Sequence, residues 1–354
     1  MKTNILNTKK WLVLALITAG IYQDAQSQDL HFSQYYNTPL IVNPALTGLF
    51  NGKVRGIANY RDQWSNVAPF KTYGLSVDAG LMKKKMNDAF LGAGLSVYQD
   101  EAGDSRLSTT QVNLSLSSII TINDNNAIAA GIQAGLVQKN IKNGDLQWGT
   151  QYDKGSHAPS LPSGEPSTYE NSMFGDFSLG LAWNYGKSES NIAKNNHFGA
   201  SAGFAIYHLN APMQAFDTER LHRNFVTHAR LNIGIKGTPL AINPSLLYMQ
   251  QGPLKEINAG GLIRYMIVEE AKYTKFLKET AIYLGAFYRV GDAIVPAFMF
   301  EYANYSIGVS YDINTSNLTD ATDGKGGVEL SFRYITPNPY KSGRGSKYIH
   351  RSLL

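Results

Sequence analysis

From Asn51 onward the chain is a succession of segments, about ten to fifteen residues each, in which apolar residues alternate with small or polar ones, separated by clusters of Gly, Asn, Asp and Ser. Side chains of an extended strand point alternately to its two faces, so a period of two means strand. One face of the 73–81 stretch reads Tyr73, Leu75, Val77, Ala79, Leu81; the other reads Gly74, Ser76, Asp78, Gly80. The 112–122 and 128–136 stretches repeat the pattern, with Val112, Leu114, Leu116, Ile120 and Ile122, then Ile128, Ile132 and Leu136, on the oily side. Soluble sandwiches alternate too, but their strands average about five or six residues. Segments nearly twice that length match what a tilted strand needs to cross a bilayer. The pattern predicts an all-β fold, a transmembrane antiparallel β-barrel with its apolar face toward lipid.

Strands are expected to start near Lys53, Phe70, Ala89, Leu107, Ala127, Phe174, His197, Phe225, Leu240, Lys255, Ala281, Ala293, Ser306 and Gly327, about fourteen in all. An even number places both ends of a bacterial barrel on the periplasmic side. Counting from there, Gln99 to Arg106, Asn140 to Ser172, Ala211 to Arg223 and Asn314 to Gly326 are external loops, and 83–88, 123–126, 187–196 and 237–239 are return turns. Aromatic residues recur near segment ends, among them Tyr60, Trp64, Tyr98, Trp183, Tyr207, Tyr265, Tyr283, Tyr288, Tyr302 and Tyr305, where rings with a polar tip suit the interface between hydrocarbon and water.

The first residues decide the compartment. Lys2, Lys9 and Lys10 precede an apolar run from Trp11 to Ile21 and then Ala25-Gln26-Ser27, the order of a cleavable export signal whose core is too short to span a bilayer. The expected organisation is a signal peptide over 1–27, an N-terminal periplasmic segment over 28–50, an outer-membrane barrel over 51–336 and a basic tail over 337–354. Charged residues make up only 17% of the chain, and a mean hydropathy of −0.23 argues against a polytopic helical membrane protein. There is no Cys, so a disulfide scaffold and a thiolate metal site are excluded. The formal charge of +5 resides largely in the leader and the tail, which argues against nucleic-acid binding.

Catalytic chemistry finds little support. Gly199-Ala200-Ser201-Ala202-Gly203 matches G-x-S-x-G, but the nucleophile of that motif sits on a strand-to-helix turn, and Phe204-Ala205-Ile206-Tyr207 continues a strand. His222 and His228 read as surface residues rather than metal ligands, and Asp100, Glu101 and Asp104, or Asp320 and Asp323, lack calcium-loop spacing. No catalytic, cofactor or metal residue is assigned.

The segment ahead of the first strand is more distinctive: Phe32-Ser33-Gln34-Tyr35-Tyr36, then Asn43-Pro44-Ala45-Leu46-Thr47-Gly48, followed by Tyr60-Arg61-Asp62-Gln63-Trp64. With Gly92-Ala93-Gly94-Leu95 and the closing Gly327-Val328-Glu329-Leu330-Ser331-Phe332-Arg333-Tyr334, this order resembles the PorP/SprF family of type IX secretion system outer-membrane proteins. The resemblance implies a barrel without catalysis that supports secretion or surface attachment of adhesin-like proteins, and gliding motility in some members. It implies as partners other type IX components, a periplasmic lipoprotein or peptidoglycan-binding protein, a large adhesin as cargo, and outer-membrane lipid. The motif residues Phe32, Ser33, Gln34, Tyr35, Asn43, Pro44, Gly48, Arg61, Gln63 and Trp64 are the candidate partner-binding or structural positions.

Proline fixes φ and glycine accepts positive φ, so Asn43-Pro44 and Gly48 suit tight turns. The expectation is a segment folded into the periplasmic mouth as a plug, with Tyr35, Tyr36, Leu40 and Ile41 as its apolar face, Arg61 paired in the lumen and Trp64 in the outer aromatic girdle. The alternative function is a channel or transporter for small solutes or lipids: small inward residues leave room for one, while no dense ring of opposite charges of the porin type is visible in the sequence.

Overall fold

The computed structural model describes residues 30–337, apart from 65–68, 83–88, 104–105, 124, 141–147, 154–155, 165–170, 188–196, 215–219, 270–277 and 317–318. The expected leader, all but the first residue of the basic tail, the turn at 83–88 and Asp104 lie outside the described residues.

Fourteen long strands are present among the described residues: β1 (Val54–Gln63), β2 (Phe70–Leu81), β3 (Ala89–Ala102), β4 (Leu107–Asn123), β5 (Asn126–Asn140), β6 (Ser172–Lys187), β7 (Phe198–Tyr207), β8 (Asn224–Gly234), β9 (Leu240–Gln251), β10 (Leu254–Val268), β11 (Thr280–Arg289), β12 (Ala293–Tyr302), β13 (Tyr305–Asn314) and β14 (Lys325–Ile335). Each pairs antiparallel with its neighbours in sequence, and β14 returns to β1, from Arg55↔Ile335 to Gln63↔Gly327, to close the barrel. Closure leaves no edge, and in hydrocarbon an unpaired edge amide or carbonyl would be unaffordable. The strand starts agree with the alternation to within two residues. One difference is at 99–106: β3 runs on to Ala102 and β4 begins at Leu107, so Asp100 and Glu101 are paired strand residues opposite Thr109 and Ser108 rather than loop residues. Ladder hydrogen bonds satisfy the backbone above the apolar band as well as within it, so polarity does not end a strand.

The apolar face points outward on every strand. Leu75, Leu114, Ile132, Leu181 and Leu284 are 54–65% exposed, an apolar surface too extensive for water and suited to lipid. Replacing Leu114 by Arg is expected to lower the unfolding free energy of the refolded barrel by about 2–4 kcal/mol, read by urea titration in liposomes, whereas Leu114→Ile leaves it nearly unchanged.

Trp183, Tyr265, Tyr288, Tyr302 and Tyr305 stand on the outer surface. Tyr98, Tyr207 and Tyr283, also expected at the interface, turn into the barrel and are buried. They fall on the inward phase of their strands, and in a strand the phase, not nearness to an end, sets the face.

The space enclosed by the barrel is occupied by residues 30–52. This segment makes a 3-10 turn (Tyr35–Asn37), one helical turn (Pro39–Val42) and a second 3-10 turn (Pro44–Leu46) before entering β1. Phe32 to Leu40, Val42 to Ala45 and Thr47 to Phe50 are all buried.

Candidate functional site: the N-terminal segment in its lumenal cradle

The segment is not confined to the mouth at which the chain enters β1. It runs from that rim past mid-height, so that Ser33 reaches Asp312 and Glu329 near the far ends of β13 and β14. The Glu329 carboxylate accepts the backbone N–H groups of Ser33 (2.7 Å) and Gln34 (3.0 Å). Asp312 accepts the Ser33 hydroxyl at 2.8 Å and, through Oδ2, Arg61 and Arg289, each at 2.8 Å. Arg61 also donates to the His31 carbonyl, and Arg289 to Ser33 Oγ at 3.1 Å. Two guanidiniums and two carboxylates thus close on one serine in a site shut off from water. Such an arrangement is stable only when every partner is present, because an uncompensated charge left in it is strongly destabilising.

Lower in the lumen the contacts are steric. Asn43 Oδ1 caps the Pro44–Leu46 turn by accepting Ala45 N–H at 2.9 Å, and Pro44 occupies its first position, where the missing N–H is harmless. The Asn43 Nδ2 donates to the Leu181 carbonyl of β6 at 2.9 Å and faces His228 Nε2 at 3.2 Å. The wall opposite is made of glycine. A Cβ on Gly180 would lie 2.0 Å from Asn43 Oδ1, one on Gly131 2.4 Å from Pro44 C, and one on Gly92 2.1 Å from Thr47 O. Ser117 between them donates to Thr47 O at 2.6 Å. Gly48 has φ +70° and sits against the Gly92 backbone, while its N–H donates to Asp78, which is held bidentately by Arg55. Gly180→Ala is therefore expected to destabilise the protein by about 1–3 kcal/mol. Gly56→Ala, with nothing within 4 Å of the added carbon, is the matched control, and chemical unfolding reads both.

The aromatic pair fills the remaining width. Tyr36 stacks on Phe287 of β11 with ring centroids 5.3 Å apart, Tyr35 meets the same ring edge-on at 5.8 Å, and Tyr35 OH donates to Ser245 Oγ at 2.9 Å. Burial pushes the Tyr35 hydroxyl up to about 12 and the Tyr36 hydroxyl higher still, so both pack as neutral phenols. Leu40 is buried elsewhere in the lumen, beside Gly94 of β3, and its carbonyl accepts from Gln133 of β5 at 3.2 Å. Ile41, expected on the same face, instead lines the cavity above the segment.

Of the sequence candidates, Ser33, Gln34 and Arg61 meet at Asp312 and Glu329, Phe32 lies by Gly74 and Tyr35 by Ser245 and Phe287, and Asn43, Pro44 and Gly48 meet the glycine trough. Gln63 and Trp64 stand apart: Gln63 ends β1, and Trp64 packs edge-on to Phe70 at 5.2 Å. Three sequence expectations change. His228 is a buried lumenal residue against Asn43, not a surface one, because it lies on the inward phase of β8. The small inward residues form the seat of the segment rather than open space. Opposite charges are in fact dense inside: Arg55 and Asp78 pair across the β1–β2 hairpin, and Arg61, Arg289, Asp312 and Glu329, from β1, β11, β13 and β14, come together only on closure. Their signal in the sequence was a charge on the inward phase of an otherwise apolar strand. Ser201 of the G-x-S-x-G match lies inside β7, which runs on as strand through Tyr207.

A closed barrel of long strands, apolar outside and packed inside by its own N-terminal segment, defines an outer-membrane β-barrel protein. The chain belongs to the PorP/SprF family, described as type IX secretion system membrane protein, whose profile matches residues 24–334. It is accordingly an outer-membrane component of the type IX secretion system. Among solved structures it is similar to the Ralstonia pickettii toluene transporter TbuX (11% identity over 85% of this chain and 94% of that one, TM-score 0.45). It is also similar to the P. putida toluene transporter TodX (12%, 85% and 94%, TM-score 0.44) and to BamA from Haemophilus ducreyi lacking POTRA domains 1–3 (10%, 80% and 70%, TM-score 0.41). These likenesses concern the fold alone. Comparison with curated proteins gave no match.

Proposed function

We propose that this barrel is a non-catalytic partner of the type IX machinery that supports secretion or surface attachment of adhesin-like proteins, and that its lumen is shut to solutes by residues 30–50. The observation that carries this reading is the fit of that segment: backbone, side chains and glycine trough are matched from one rim to beyond mid-height, as expected of a permanent part of the barrel rather than of a passing tenant. A barrel so filled serves better as an anchor or docking body than as a diffusion channel for small solutes. The rim at which β1 begins and β14 ends faces the periplasm in this reading, where a lipoprotein or peptidoglycan-binding protein meets it, and the opposite rim with the longer loops faces out, where a large adhesin is held.

The test is affinity capture of a tagged native copy from detergent-solubilised outer membranes, with mass spectrometry of what accompanies it. Type IX components with a large surface adhesin are the expected company. A solitary barrel with a measurable solute conductance overturns the reading in favour of a channel.

A further inference from the structure

Three hydrogen-bond donors stand in one row on the lumenal wall, toward the rim at which β1 begins. Asn184 of β6 pairs with Ser201 of β7, and Ser201 with Arg230 of β8, so their side chains sit side by side on the inward phase of adjacent strands, about 5 Å apart from one to the next. All three line a cavity of about 70 Å³ between the wall and the N-terminal segment, together with Tyr36, over whose ring Arg230 lies 5.9 Å from the centroid. That volume holds about five waters or one small ion. Arg55 and His228 also line it, the first held by Asp78 and the second facing Asn43, and side chains of the segment make up most of the rest. Asn184 is 7% exposed, yet its amide makes no hydrogen bond among the described residues.

The charge nearby points the same way. Arg333 of β14 is 4% exposed and has neither a hydrogen bond nor an ion pair among the described residues. Glu301 acts on it from beyond ion-pair distance and is itself engaged by the Tyr283 hydroxyl at 2.8 Å, with Arg264 at 4.0 Å. The electrostatic neighbours of Arg333 include Arg55, Arg230 and Tyr36, which all line the cavity. A buried guanidinium without a counter-ion is costly, and an anion in the cavity offsets that cost. A carboxylate would engage a guanidinium fork with both its oxygens and leave the amide and hydroxyl unserved, whereas a tetrahedral oxyanion has an oxygen for each member of the row.

We propose that Asn184, Ser201 and Arg230 bind a tetrahedral oxyanion of the phosphate type, which locks the N-terminal segment against the wall. The site is independent of the cargo the barrel serves. The experiment uses the full chain in lipid nanodiscs, in a phosphate-free buffer near neutral pH, titrated calorimetrically with inorganic phosphate, sulfate, glycerol 3-phosphate, acetate and chloride. Phosphate and sulfate are expected to bind at least about tenfold tighter than acetate or chloride. Tighter binding of phosphate than of glycerol 3-phosphate assigns the row to the free ion, the reverse assigns it to an esterified headgroup, and either supports the site. Arg230→Gln and Arg333→Gln are expected to weaken phosphate binding at least about tenfold and Asn184→Ala about fivefold, while Lys53→Gln, which removes an exposed cation near the same rim, leaves it unchanged. Added phosphate is expected to raise the urea midpoint of the intact chain, as a ligand of the folded state must. Without phosphate, Arg333→Gln keeps or raises that midpoint, because it removes an uncompensated charge; a midpoint lowered equally with and without phosphate marks a merely packing role and overturns the assignment. Asn184→Ala and Ser201→Ala, the smaller truncations, carry the test if an arginine variant fails to fold. Absence of phosphate binding, equal binding of acetate or chloride, or binding insensitive to all of these substitutions overturns the proposal.

Discussion

Removing residues 30–50 opens the barrel: the shortened protein conducts ions in a planar bilayer, with single-channel conductance at least about tenfold above that of the intact chain. The reason lies in the wall. Gly92, Gly131 and Gly180 carry no side chain to take over the space left by Asn43 to Thr47, and Ser117 beside them is scarcely larger. Upper in the lumen the loss of Ser33 to Tyr36 leaves polar and charged groups facing one another across a gap that water and ions enter. The fourteen-strand wall itself does not depend on the segment for its ladder, because every strand is paired to its two neighbours. A second variant guards against misfolding of the first: Gly131→Leu with Gly180→Leu keeps the whole chain but drives Asn43 and Pro44 from their seat, and it too is expected to conduct. Unchanged conductance in both shows that the segment does not close the pore.

Asp312→Ala is the single substitution with the largest expected effect on stability, a loss of about 3–5 kcal/mol read by chemical unfolding. Asp312 is 1% exposed and holds Arg61, Arg289 and the Ser33 hydroxyl together. Without it two buried guanidiniums face each other with Glu329 already committed to the Ser33 and Gln34 amides. The same variant is expected to loosen the upper part of the segment, so partial conductance accompanies the lost stability. Asp312→Asn keeps the shape but not the charge and falls between the two. A loss below about 1 kcal/mol would mean that water screens the cluster, as it does for surface pairs.

Much of the fold was legible before any coordinates. Alternation is a local property: the outward phase of β2, β4 and β5 is visible as Leu75, Leu114 and Ile132 spaced two by two, and turn residues mark where each run stops. The count of strands and the antiparallel order follow from those runs. The motif residues of the N-terminal segment were legible as unusual, and Arg61 as a charge in a strand otherwise suited to lipid and lumen. Where the sequence misled, it did so by phase or by distance. Tyr98, Tyr207 and Tyr283 looked like interface rings until the phase of each strand turned them inward.

The sequence by itself determined the barrel, because hydrocarbon outside and polar lumen inside impose a two-residue period that every strand must obey. Only the tertiary structure decided that the lumen is full. Ser33 and Glu329 stand 296 positions apart, Ser33 and Asp312 279, and Asn43 and Leu181 138, and no local pattern relates them. Small inward residues that read as room for a channel became a fitted trough, and Arg61, Arg289, Asp312 and Glu329 became one compensated cluster, because closing the sheet places remote strands around a common axis and leaves a space that the N-terminal segment fills.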